Sequence, residues 1–194
     1  IGNTAGAISQ GSGAVAIGYL TGQTLQGTNA VAIGTQAGAS TQGSGAVAIG
    51  LQAGQLIQGT YAVAIGNSAG QTVQAPFSIA IGLQAGSFTQ GSSAIGIGYL
   101  AGYNSQGLQS VAIGLQAGQT FQGTGSVAIG SNAGVNTQGS AAVAIGYQAG
   151  RVVQAPFAIG LGMQAGENTQ GSAAIAIGYL AGYNSQGLQS VAIG

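Results

Sequence analysis

Apolar and polar positions along this chain return at a fixed interval of sixteen residues, without insertions or gaps, from Ile1 to Gly194. Counted in columns from Ile1, column one is Ile in every unit except at Leu161, and column fifteen is always Val or Ile. Column fourteen is Ala or Ser, and column sixteen is Ala or Gly. The stretch from column fourteen through column one, for example Ala46-Val47-Ala48-Ile49, therefore alternates small and β-branched residues with the period of two that marks a strand. Burial of the larger side chains is the ordinary expectation for such a pattern. It predicts a core of Val15, Ile17, Val47, Ile49, Val111, Ile113 and their equivalents, with the Ala positions forming a flat outer surface for close contact.

Columns two and six are Gly throughout and bracket a corner, where backbone with positive φ is easily reached only by Gly. A second, weaker strand is expected at columns seven to ten, as in Thr72-Val73-Gln74 and Val152-Val153-Gln154. Column eleven, Gly except at Ala75 and Ala155, opens the second corner. A helix is excluded by the Gly content, 40 of 194 residues, and by the lack of any 3.6-residue period. Disorder is excluded by the constant phase of the β-branched residues. The fold class that follows is all-β: a parallel β-solenoid, or β-roll, of about twelve 16-residue coils.

If each unit is one coil, equivalent residues lie about 4.8 Å apart along the axis. Column ten is Gln in every unit: Gln10, Gln26, Gln42, Gln58, Gln74, Gln90, Gln106, Gln122, Gln138, Gln154, Gln170 and Gln186. Stacked in this way, these amides are expected to form a structural ladder, each bonding its neighbour. Arg151 and Glu167 both fall in column seven of adjacent coils and are expected to pair as a surface salt bridge of less than about 1 kcal/mol.

A longer period lies over the first. Residues 35–114 and 115–194 resemble each other beyond the 16-residue pattern. The segment beginning Tyr-Leu-Ala-Gly-Tyr-Asn-Ser is identical at 99–114 and 179–194, and Gln-Ala-Pro-Phe recurs at Gln74–Phe77 and Gln154–Phe157. Pro76 and Pro156 are expected in a corner, since Pro cannot donate to a strand ladder. The spacing fits a recent duplication or a periodic contact surface equally well. In the second case Tyr99, Tyr103, Tyr179 and Tyr183 are the candidate contact residues, for another fibre or a glycan. Both ends of the sequence fall inside ordinary units, so the array reads as a single uncapped solenoid over 1–194 and as a window onto something longer.

Composition narrows function by subtraction. Arg151 and Glu167 are the only charged residues, and His, Cys, Lys, Asp and Trp are absent. Acid–base catalysis lacks suitable titrating groups, nucleophilic triads lack a base, and no set of ligands for zinc or calcium exists, so no enzyme activity, cofactor or metal is expected. Zero net charge removes the electrostatic footprint of a nucleic-acid or anionic-membrane binder. G-x-x-x-G occurs in every unit, as at Gly18 to Gly22, but without an apolar 20-mer it predicts no membrane insertion.

Ser-Val-Ala-Ile-Gly at 110–114, 126–130 and 190–194, with Ala-Val-Ala-Ile-Gly in most other units, resembles the head repeat of the trimeric autotransporter adhesins, the YadA-like or Hep-Hag β-roll. Similar repeats occur in viral and phage fibre proteins. The resemblance runs over the whole chain and implies a parallel β-roll, commonly trimeric, displayed outside a cell or virion and used for attachment. The leading functional expectation is a structural component of an extracellular filament or surface fibre, self-assembling by solenoid stacking and by small-residue lateral contacts. Its partners would be further copies of itself and a surface or glycan. An adhesin head that binds host or matrix surfaces is the near alternative, and an ice-binding solenoid the more distant one, weakened by the scatter of Thr24, Thr41 and Thr60 over different columns.

Overall fold

A computed structural model describes residues 1–194 and contains strands and turns but no helix. Each coil contributes two short strands. The two-residue strands run from Ser9–Gln10 to Ser185–Gln186, and the three-residue strands from Val15–Ile17 to Val191–Ile193. Each set forms one twelve-stranded sheet in which every strand pairs in parallel with its equivalent sixteen residues away. Ala128 thus lies opposite Ala112 and Ala144, and Gln138 opposite Gln122 and Gln154. The chain is a parallel β-solenoid of about twelve turns. The second strand is shorter than columns seven to ten would suggest, covering only columns nine and ten.

The corners are bonded along the axis as well. Of 140 backbone–backbone hydrogen bonds, 107 lie outside the strand ladders, and most of these join residues in adjacent coils. Columns six, eight, nine, eleven and fifteen donate forward, as Gly118 N–H does to Ala133 O at 2.9 Å. Columns two, four and thirteen donate backward, as Gln116 N–H does to Tyr99 O at 2.8 Å. The backbone of a coil is therefore satisfied mainly by its two neighbours, with short turns such as Ala46 N–H to Gly43 O at 3.2 Å closing its own corners, the condition that lets so thin a structure avoid orphaned backbone groups.

The interior reverses the expected core. The three-residue strands bury only their middle residue, in the order out, in, out. Ala16, Ala48 and Ala112 are buried, whereas Val15 and Ile17 are 39% exposed and Val47, Ile49, Val111 and Ile113 are half-buried on the outside. The core consists of column-sixteen Ala packed on column-five Ala, for example Ala32, Ala37, Ala48 and Ala53, or Ala112, Ala117, Ala128 and Ala133. Column-fourteen Ala or Ser and the column-ten Gln complete it.

The reason is the width of the lumen. A Cβ placed on Gly96, which stands in for Ala in column sixteen, would meet Ala101 O at 3.1 Å, Gln106 Oε1 at 3.3 Å and Gln90 Nε2 at 3.5 Å. One methyl group already fills the space, so a β-branched side chain has no room inside. The same crowding explains the two invariant glycine columns. A Cβ on Gly82, at φ +126°, would lie 2.6 Å from Gly98 O in the next coil, and one on Gly118 would lie 2.8 Å from Cδ of Gln122 in its own coil.

Candidate functional surfaces

The column-ten Gln is the one large side chain admitted to the lumen. From Gln26 to Gln186, each Nε2 donates across the lumen to the carbonyl of the column-fifteen residue eleven positions earlier, at 2.6–2.8 Å, as Gln138 does to Val127 O. It also reaches the column-fourteen carbonyl four positions later, more weakly, as at Ala142 O at 3.3 Å. Bonds between successive Gln side chains form in six of the eleven steps, Gln58 to Gln74, Gln90 to Gln106, and without interruption from Gln122 to Gln186. The Gln column is therefore a set of cross-lumen struts first and a ladder second. Only Gln10, in the first coil, is exposed. Column six must be Gly because the Gln amide lies where its Cβ would be.

Amide stacking also occurs outside, where the sequence pattern did not single it out. Gln52 Nε2 donates to Gln36 Oε1 at 3.1 Å, Gln71 to Gln55 at 3.1 Å, and Asn168 to Asn184 at 3.3 Å. Column four, which holds Gln36 and Gln52, has another unanticipated property. Its residues adopt left-handed backbone, φ 57° at Gln36, Gln52 and Leu100, as do the non-Gly residues of column thirteen, such as Phe77 and Ala141. Left-handed backbone costs a non-Gly residue roughly 1 kcal/mol, here offset by the axial hydrogen bonds of those same residues.

Arg151 and Glu167 meet, with Nε 3.0 Å from Oε1. The pair is not a fully exposed one, because the Glu167 side chain is only 3% exposed while that of Arg151 is 40% exposed. Glu167 lies in column seven between the long side chains of Arg151 and Tyr183, and its Oε2 is buried with no hydrogen-bond partner. The guanidinium is thus the main compensation for a carboxylate held out of water.

The four tyrosines divide into two environments. Tyr99 and Tyr179, in column three, are 45% and 60% exposed. Tyr103 and Tyr183, in column seven, are half-buried, and Tyr103 packs edge-on against Phe88 with centroids 5.0 Å apart.

A continuous apolar surface lies on the outer face of the three-residue strands. Columns fifteen and one run along it as two unbroken ranks of Val and Ile, with Leu161 the one other residue, partly exposed in every coil. Column three adds Leu51, Leu83, Tyr99, Leu115, Tyr147 and Met163, each 45–48% exposed. Twelve coils at about 4.8 Å give this face a length of about 58 Å. Its apolar area is on the order of 1,000 Å², more than the few hundred Å² a monomer usually leaves bare and comparable to one side of a standard protein–protein interface. Neither charged residue lies in these columns.

A search among curated proteins finds no match. The family model for the YadA head domain repeat matches twice, at residues 26–53 and 122–149. Each matched segment starts on a lumen Gln, contains two successive Val/Ile strands and ends just before a column-six glycine. The two matched copies and the gapless parallel solenoid of one repeating unit that holds them fit a YadA-like head repeat.

Proposed function

We propose that the chain is the rod of a self-associating surface fibre, with two or more solenoids packed side by side along their Val/Ile faces, and that the rod serves attachment. The observation that carries this reading is the uninterrupted apolar face. A monomer would leave it in water over its whole length, and no charged residue breaks it. The association assigned to the Ala columns by the pattern alone moves to this face, because those alanines are inside the coil. Three chains about a common axis is the arrangement that the likeness to adhesin heads supports, and it would close the Val/Ile faces against one another. Cell-surface or virion-surface display and a non-enzymatic role fit the same family likeness. A chain with one carboxylate and one guanidinium has little with which to do chemistry.

Electron microscopy of the purified chain tests the proposal. Straight rods of uniform width, wider than one coil and about 58 Å long per twelve coils, are expected. Isolated single solenoids at micromolar concentration would contradict lateral association.

A further inference from the structure

Two columns border the outward Val/Ile face. Column thirteen lies two positions before each three-residue strand and column three two positions after it, so the borders are six residues apart in sequence. Six extended residues span up to about 20 Å, too far for the two borders of one coil to touch. The aromatic contacts within the chain agree. Tyr61 stacks on Phe77 along column thirteen, with centroids 5.8 Å apart, and Phe88 packs on Tyr103 in the other corner, but no ring bridges the borders. Nothing inside a coil therefore makes the size of one border residue depend on the other.

Their sizes are nonetheless related. Each column-three tyrosine shares its strand with a small column-thirteen residue, as Tyr99 does with Ser93 and Tyr147 with Ala141. The column-thirteen aromatics Tyr61, Phe77 and Phe157 share theirs with Asn67, Leu83 and Met163. No strand carries an aromatic at both borders. The most direct case comes from the two 80-residue blocks. Tyr61 and Asn67 in the first correspond to Ala141 and Tyr147 in the second, so the ring changes border while the pair keeps one ring. Both rings are exposed, Tyr61 at 60% and Tyr147 at 48%.

We infer that column thirteen of one chain meets column three of a second copy, a ring on one border being received by a small or flexible residue on the other. Interfaces pack as densely as protein interiors, so a ring gained on one side must be lost on the side facing it, which is the exchange the two blocks show. The occupant is a second copy because this chain itself carries the matching border, on either side of a face whose apolar area, on the order of 1,000 Å², suits one side of a standard interface. Copies running parallel bring unlike borders together, whereas antiparallel copies bring like borders together, so the matching also gives the chains a common direction. It selects one alignment along the axis as well. A shift of one coil in one direction sets Phe77 against Tyr99 and Phe157 against Tyr179, and a shift in the other sets Phe157 against Tyr147. The Val/Ile ranks cannot make this choice, since they offer nearly the same side chains in every coil.

The inference rests on the lateral association proposed above and names the residues that select the partner. Sedimentation equilibrium on the wild type, Ala141→Tyr, Tyr147→Asn and the double variant tests it. The first substitution puts two rings on one strand level and should raise the Kd of association about tenfold, the equivalent of about 1.4 kcal/mol. The double variant recreates the Tyr61 and Asn67 pair and should return to within about twofold of the wild type, a coupling that can pass only between chains. The new ring fits the fold. Ala141 and Tyr61 share a left-handed backbone, φ 54° and 56°, and Tyr61 lies over Gly45 whereas the equivalent Gly125 has open space beside it. A monomeric wild type would remove the lateral association and this inference together. A wild type that associates, with Ala141→Tyr no weaker or with the double variant as weak as the single ones, would overturn the border matching alone.

Discussion

At the scale of single residues, the lumen and the axial contacts set the penalties. Gly82→Ala places a methyl group 2.6 Å from the carbonyl of Gly98 at φ +126° and should cost about 3 kcal/mol or more. Gly125→Ala has open space around the new methyl at φ +66°, the backbone that Ala141 and Ala173 already adopt in the same column, and should cost no more than about 1 kcal/mol. Thermal unfolding of the two variants checks the contrast, and equal losses would contradict it. Gln138→Leu removes donation to Val127, Ala142 and Gln154 and should destabilise by about 3 kcal/mol. For the ion pair, Arg151→Gln strands a covered carboxylate whereas Glu167→Gln leaves a half-exposed cation that water can reach. The first should be the more destabilising by about 1–2 kcal/mol in urea unfolding, with solvent access to Arg151 keeping the difference small.

Individual columns explain how far the sequence could be read. Gly82 and Gln138 announced themselves by invariance, and their geometry accounts for it: one touches the neighbouring coil and the other spans the lumen. The meeting of Arg151 and Glu167 followed from their shared column, while the cover over Glu167 did not, because it depends on the length of its axial neighbours. The left-handed backbone at Gln36 or Phe77 was not legible. Its cost is met by hydrogen bonds to the previous coil, and nothing in the identity of Gln or Phe signals it.

At the scale of the strand, alternation specifies which residues share a face but not which face is inside. In Val127-Ala128-Ile129 the two outer residues were legible as partners of one another. That they face outward is decided by lumen width, a property of a coil with two strands of two and three residues, and not by hydrophobicity. Most domains settle the question in favour of the larger side chains because their layers are far enough apart to hold them. Ala128→Val tests this at one position. Overpacking the lumen should cost about 2–3 kcal/mol, although the change increases hydrophobicity and β propensity together. Circular dichroism during heating reads the loss, and a stabilised variant would contradict the assignment.

At the scale of the whole molecule, the inversion connects fold to function. A solenoid with Val and Ile inside would be a self-sufficient rod with a small-residue surface. A solenoid with Ala and Gln inside has a minimal core, depends on axial hydrogen bonds for its cohesion, and carries its Val and Ile ranks on the outside. Under the proposed self-association, stability and association are separable, since the outward-facing ranks are not what hold a coil together. Light scattering with circular dichroism on the double variant Val127→Lys, Ile129→Lys measures this most directly. The wild-type chain is predicted to have a mass that is a multiple of 18.4 kDa, and the variant to lose mass toward 18.4 kDa while keeping its β-sheet signal. Collapse of that signal in the variant, placing Val127 and Ile129 in the core after all, would contradict the account.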